Sequence, residues 1–121
     1  MSHGHDVDLG QMDARTAASV AETMQALATP SRVRILSRLS TAPCSVSELV
    51  EDIGMSQPAV SQQLRVLRYL GLVVGDRDGR HVRYSLHDDH VRALLREAVG
   101  HTEHIRLGLT SQAEATLTHA A

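Results

Sequence analysis

Apolar positions recur at helical spacing through the first half of the chain, with polar breaks between the runs. The first run begins after Asp13, a residue suited to cap a helix. The second follows Thr29 and Pro30, where the threonine can cap the new helix and the proline fits its first turn. Spacings of three and four residues therefore predict two amphipathic helices. Val20, Met24 and Leu27 fall on one stripe of the first helix, and the inner side of the second carries Val33, Ile35, Leu36 and Leu39.

Two more short helices are predicted between Ser45 and Gly71. Ser45 and Glu48 form a capping box, in which each side chain can bond the backbone amide of the other residue. This helix ends at Gly54, and Ser56 can cap the next one. Two short helices joined by a tight, glycine-containing turn are typical of a helix-turn-helix. The inward side chains of the pair are Val46, Leu49, Val50 and Ile53, then Val60, Leu64 and Leu67.

After Gly71 the apolar period falls to two, which indicates strands. Residues 72–74 are expected to form one strand and residues 82–86 a second. The polar loop over residues 75–80 contains an Asp-Gly turn signal, so the two strands form a hairpin. A hairpin beside a helix-turn-helix is a wing, and the expected fold is therefore a mostly α winged helix-turn-helix of the α+β class.

A last amphipathic helix is expected from Asp88 or Asp89 to about Leu107. With no Trp or Phe, the core must be built from aliphatic side chains, and this thin core favours a homodimer that shares apolar surface through the terminal helices. The chain is long enough for one domain. The expected organisation is a flexible arm over residues 1–12, a folded domain over 13–109 and a flexible tail over 110–121.

Composition and charge indicate where in the cell the protein is expected and what kind of partner it binds. No apolar run approaches the roughly 20 residues of a membrane span. The N-terminus lacks the regions of a signal peptide, and the single cysteine, Cys44, cannot form an internal disulfide, so a cytoplasmic protein is expected. The net charge is −2, yet the window from Gly54 to Leu86 carries five arginines against two aspartates. A basic face on an acidic chain suits a polyanion bound on one side.

The helix after Ser56 and the hairpin have the residue types of a DNA-binding surface. Glutamine can pair with adenine and arginine with guanine in the major groove, while hairpin arginines can reach an adjacent minor groove or the backbone. The few aromatic residues argue against modules that stack unpaired bases, so the expected partner is double-stranded operator DNA. The candidate DNA-binding residues are Ser56, Gln57, Ser61, Gln62, Gln63, Arg65, Arg68, Arg77 and Arg80.

The candidate metal ligands are Asp88, His90, His101 and His104. On one helix, His90 and His101 share a face but are separated by a rise of about 16 Å, whereas imidazoles on one metal lie about 4 Å apart. An antiparallel second copy of the helix would bring both pairs together, and its two-fold axis would generate two equivalent sites. Three imidazoles and a carboxylate suit zinc, nickel or cobalt.

The N-terminus could add further nitrogen ligands to this site. If Met1 is removed, the amine of Ser2 lies beside the imidazole of His3, and these donors would favour nickel or cobalt over zinc. His5 lies in the same arm, while His81, His87 and His119 are not expected to bind metal.

The chain resembles the ArsR/SmtB family of metal-sensing repressors over residues 13–109. The resemblance is carried by ALATPSRVRIL, SVSELVEDIGMSQPAVSQQLRVLRYLGLV, DGRHVRYSL and the spacing DxH-x10-HxxH. The stretches QALATPSR, GLVVGDR and EH…LGL are similar to the nickel and cobalt sensors of the family. The resemblance implies a homodimer that binds a palindromic operator without metal and releases it with metal. It also implies that Ser2 and His3 act as ligands together with the last-helix residues.

Two departures from the family pattern limit the choice of metal. Ser45 and Ser47 stand where the arsenic, cadmium and lead sensors have a Cys-x-Cys, so sensing by thiolates is not expected. Arg106 stands where the nickel sensor has a further histidine, which keeps a zinc-responsive repressor open as an alternative. A metal-insensitive regulator that acts with a partner protein is a third reading, and activation in place of repression also stays open. An enzyme is not expected, since a catalytic metal needs an open coordination position.

Overall fold

The computed structural model describes the backbone of residues 8–120 and the side chains of residues 8–109. Within that part of the chain, five α-helices and one hairpin follow a short 3-10 turn at Leu9–Gln11, which lies inside the segment expected to be a flexible arm. The elements are α1 (Ala14–Ala26), α2 (Pro30–Leu39), α3 (Val46–Ile53), α4 (Gln57–Tyr69), β1 (Val73–Asp78), β2 (His81–Leu86) and α5 (Asp89–Ala120).

Side-chain caps begin three of the helices as predicted. The carboxylate of Asp13 accepts a bond from the Thr16 amide, and the Ser56 hydroxyl accepts one from the Ala59 amide. Both bonds of the capping box between Ser45 and Glu48 are present. At α2, Thr29 occupies the N-cap position and Pro30 lies in the first turn, both as predicted. The Thr29 side chain, however, makes no capping hydrogen bond. Proline has no amide to satisfy there, so α2 needs less from its cap.

The core joins α2, α3 and α4 under the hairpin. Leu36 of α2, Leu49 of α3 and Leu64 of α4 are each at most 1% exposed. Val91 and Leu95 close the core from the first turns of α5, whereas α1 contributes only Ala26. The helix-turn-helix is therefore held by buried aliphatic side chains, and this packing fixes which face of α4 points outward.

The hairpin is longer than its hydrophobic pattern predicts. Antiparallel pairing runs from Val73 opposite Leu86 to Asp78 opposite His81, so the polar residues 75–78 belong to β1 and not to a loop. Pairing with β2 satisfies their backbone groups whatever the side chains are. The turn itself requires a left-handed residue, and Gly79 has φ 65°.

The last helix also differs from its prediction. α5 continues to Ala120, through the segment expected to be a tail, so the predicted end near Leu107 is wrong. Neither proline nor glycine interrupts residues 109–120, and nothing in that stretch terminates a helix. After Leu95, every α5 side chain that the structure describes is exposed. No helix in the described part of the chain has the length and hydropathy needed to cross a membrane.

Candidate DNA interface and metal ligands

The buried face of α4 decides which of its side chains can meet another molecule. Val60, Leu64 and Leu67 are buried against the core, so the opposite face carries polar residues. The exposed members of the candidate set on or beside α4 are Ser56, Gln57, Gln62, Arg65 and Arg68, while Ser61 is half-buried. The structure thus brings six of the seven predicted α4 positions to one polar surface.

Gln63 is the exception among the α4 candidates. It lies three residues after Val60 and so falls on the edge of the buried face. The Nε of Arg32 donates to its Oε1 at 2.7 Å, and the glutamine is half-buried. The side chain of Gln63 therefore links α4 to α2, and a contact of Gln63 with DNA stays a prediction.

The two hairpin arginines predicted to bind DNA lie at different distances from the tip of the hairpin. Arg80 lies in the turn, as expected, but Arg77 is inside β1, opposite Val82 and one residue pair below the tip. Arg83, in contrast, points to the loop before α3, where it donates to the Pro43 carbonyl at 3.0 Å and lies 3.6 Å from Glu48. Arg83 therefore stabilises the attachment of the hairpin to the domain.

The arginines on α4 and at the end of the hairpin have no acidic partner among the side chains that the structure describes. Among residues 8–109, none of Arg65, Arg68, Arg77 or Arg80 takes part in an ion pair. Unneutralised guanidinium groups on one face attract phosphate, and the same groups would repel a basic partner. This surface is suited to a nucleic-acid backbone.

Sequence reasoning did not assign a functional role to either tyrosine. Tyr84 lies beneath the guanidinium of Arg68, whose central carbon is 6.0 Å from the ring centroid. Tyr69, the last residue of α4, is 86% exposed. For Tyr69, the available signal was its position directly after the candidate DNA-binding residues of α4. No signal in the sequence indicated the contact of Tyr84 with Arg68.

Asp88 and His90 form the first part of the candidate metal set. One carboxylate oxygen of Asp88 accepts bonds from the amides of His90 and Val91, and so caps α5. The Nδ1 of His90 is 3.7 Å from that oxygen. The other oxygen lies 3.1 Å from the Nδ1 of His87. The hydrogen bond from His87, with smaller contributions from the Val91 amide and from His90, lowers the pKa of Asp88 below its ordinary value.

His101 and His104 form the second part, farther along α5. Both are exposed and lie on adjacent turns. In the described part of the chain, no three potential ligands come close enough to hold one metal ion. Three imidazoles and a carboxylate suit a divalent ion of intermediate softness, but a single copy of this chain supplies them as two separated pairs. Ser2, His3 and His5 lie outside the described residues, so their participation stays a prediction.

Comparison with known proteins identifies the family. Residues 29–74 match the model of the bacterial regulatory protein, arsR family. The HTH-type transcriptional regulator NmtR of Mycobacterium tuberculosis is 59% identical over 101 residues, which cover 84% of each protein. The solution structure of apo-NmtR aligns with a TM-score of 0.68 at 56% identity, covering 86% of this chain and 87% of that one.

A second solved structure is relevant to assembly. The homodimeric winged helix-turn-helix domain of Mb0332 from Mycobacterium bovis, a possible ArsR-family regulator, aligns with a TM-score of 0.70 at 30% identity over 81% of this chain and 94% of that one. These matches confirm the resemblance inferred from the sequence motifs. The chain belongs to the ArsR family of bacterial regulatory proteins, and it is a DNA-binding transcriptional regulator with a winged helix-turn-helix, not an enzyme.

Proposed function

We propose that this regulator is a metal-responsive repressor. It binds a palindromic operator as a homodimer and releases it when nickel or cobalt binds at sites shared between two copies of α5. The observation that carries the proposal is the placement of four potential ligands as two exposed pairs, Asp88 with His90 and His101 with His104, on one helix that has most of its length uncovered.

The uncovered helix supports the homodimer. The apolar residues of its outer half are between 46% and 63% exposed, and Met24 of α1 is 59% exposed. Such a concentration of apolar surface on the terminal helices marks a protein interface. A second copy supplies a matching surface, and the related Mb0332 domain is homodimeric. The α5 residues concerned are Val99, Ile105, Leu107 and Leu109.

An antiparallel α5 pair supports the metal assignment. It would place the first ligand pair of one chain beside the second pair of its partner, and so would supply four donors per site. Ser2 and His3 would add nitrogen donors, which favours nickel or cobalt. The zinc alternative rests on Arg106, which pairs with Glu103 where a further histidine would complete a larger coordination shell.

Two side-chain bonds connect α5 with the DNA-facing helix. The Nε of Arg92 donates to the carbonyl of Ser40 at the end of α2, at 3.1 Å. At the other end of α2, Arg32 bonds Gln63 of α4. A change in the crossing of two α5 helices would therefore move α2 and shift α4 relative to its copy in the dimer. A coupling free energy of about 1–3 kcal/mol would change operator affinity roughly 5- to 150-fold.

The test is fluorescence anisotropy on the DNA upstream of the protein's own coding region, titrated with nickel, cobalt and zinc. We expect nickel or cobalt to release the DNA from the native protein but not from His101→Ala. Arg34→Ala, an exposed change on α2 and away from the ligand face of α5, is the control and should respond like the native protein. Release by zinc alone would establish the zinc alternative. DNA binding that no metal alters would refute metal sensing and indicate a regulator that depends on a partner protein.

A further inference from the structure

A cleft of about 500 Å³ separates the end of α4 from the hairpin. Each of its lining side chains carries an N–H or O–H donor, and no carboxylate faces it. A surface on which every side chain can donate and none is anionic, with two guanidinium groups among them, matches an anion that accepts several hydrogen bonds. The lining residues are Ser61, Arg65, Arg68, Tyr69 and Tyr84.

The floor of the cleft is held in place by backbone contacts. Tyr84 exchanges two backbone bonds with Cys44, at 2.9 and 2.7 Å, which tie β2 to the loop before α3. Across the hairpin, Gly75 lies opposite Tyr84, and a β-carbon added to Gly75 would be 3.1 Å from the Cε1 of the tyrosine ring. The glycine therefore leaves room for the ring, and a larger residue at position 75 would crowd it.

Arg68 is positioned by this ring and not by an ion pair. Its guanidinium carbon lies 6.0 Å from the ring centroid of Tyr84, within the range of a cation–π contact. An arginine held by a ring and not by a carboxylate keeps its N–H donors available for a phosphate. Tyr69 adds a phenol hydroxyl at the exposed rim of the same cleft.

The position along α4 argues for the DNA backbone as the ligand. In helix-turn-helix proteins the first residues of the reading helix contact base edges. Arg68 lies in the last turn, and its contact with Tyr84 draws it towards the hairpin. Arginine and tyrosine side chains commonly bind phosphate oxygens, contacts that fix orientation without reading sequence.

We propose that this cleft is a phosphate-binding notch, in which Arg68 binds a phosphate of the DNA backbone independently of sequence. Tyr84 supports the Arg68 side chain, and Tyr69 donates a further hydrogen bond to the phosphate. The inference rests on the DNA-binding role of α4 and the hairpin, but it does not depend on metal sensing. It assigns backbone contact to the end of α4 and leaves base contact to the residues near its start, Gln57 and Gln62.

The first test compares Arg68→Ala with Arg34→Ala, a matched change at an exposed arginine of α2 that forms no ion pair within residues 8–109. Anisotropy is measured across a salt series on the upstream DNA and on a random-sequence duplex of equal length. We expect Arg68→Ala to weaken both duplexes by a similar factor of about ten and to reduce the salt slope by about two, one for each subunit of the bound dimer. Arg34→Ala should leave both quantities unchanged.

The second test locates the phosphate that Arg68 contacts and examines whether the Tyr84 ring holds Arg68 in place. Neutral methylphosphonates placed singly along the upstream DNA should weaken the native protein at one position in each half-site. Arg68→Ala should be insensitive at that position. Tyr84→Phe keeps the ring and should bind like the native protein, while Tyr84→Leu should weaken both duplexes. Thermal unfolding of each variant checks that the fold is intact.

Several outcomes would overturn the notch. Loss of affinity for the upstream DNA alone, with the random duplex and the salt slope unchanged, would make Arg68 a base-reading residue. If Arg68→Ala binds both duplexes as tightly as the native protein does, Arg68 is not part of the DNA interface. A native protein that binds neither duplex would refute DNA binding as well. A native protein that binds DNA but ignores every metal would refute only the sensing proposal, since the random-duplex result stands by itself.

Discussion

Complementation between two inactive variants tests the shared metal site most directly. One variant carries Asp88→Asn and His90→Ala, and the other carries His101→Ala and His104→Ala. Asparagine is chosen because it can still accept the bonds from the amides of His90 and Val91 that cap α5. Each variant homodimer then lacks half of both sites and should bind no nickel or cobalt at the four-ligand position.

The expected recovery follows from the geometry of α5. Because His90 and His101 are separated by about 16 Å along the helix, one chain cannot close a site alone. A mixed dimer has one site that lacks both halves and one site that is complete. After random exchange about half of the dimers are mixed, so the mixture should bind about one ion per four chains, compared with about one per chain in the native protein.

Metal bound per chain is measured by equilibrium dialysis with elemental analysis, for each variant alone and for the exchanged mixture. Native mass spectrometry, with one variant isotopically heavy, counts the mixed dimers. If mixed dimers form in the expected proportion and hold no metal, the ligands do not come from two chains and the reasoning from helix rise is refuted. Full metal binding by either variant alone would show that the four residues are not the ligand set.

Three further predictions concern the fold that positions the reading helix. Ser45→Ala removes one half of the capping box and should lower the free energy of unfolding by about 1 kcal/mol in urea titrations, whereas exposed Ser47→Ala should change it little. Leu64→Ala opens a cavity beneath α4 and should cost about 2–5 kcal/mol by thermal unfolding, and Gln62→Ala on the outer face serves as its control. The backbone amide of Ser45 lowers the pKa of Glu48 below its ordinary value, so its contribution to stability is complete above that value and is lost as the pH falls through the lowered pKa. Glu48→Gln should therefore show a smaller loss of stability between neutral and acid pH, and an unchanged acid dependence would contradict the assignment.

Some features of the candidate site follow from the spacing of apolar residues along the chain, and others do not. The outward face of α4 follows from the spacing of Val60, Leu64 and Leu67, because burial of one face determines the other. The bond between Gln63 and Arg32 was not predicted, since spacing within α4 does not reveal a partner on α2. The role of Tyr84 depends on its pairing with Gly75, and strand register over polar residues has no hydrophobic pattern to mark it.

The sequence alone determined the order of the helices and the hairpin, the helix caps and the positions of the two candidate ligand pairs along the last helix. These depend on interactions between residues a few positions apart, which the local order of side chains specifies. The tertiary structure decided the bond between Gln63 and Arg32 and the contact of Arg68 with the Tyr84 ring. Those features require segments distant in the chain to meet, and packing and hydrogen bonding between elements settle where they meet.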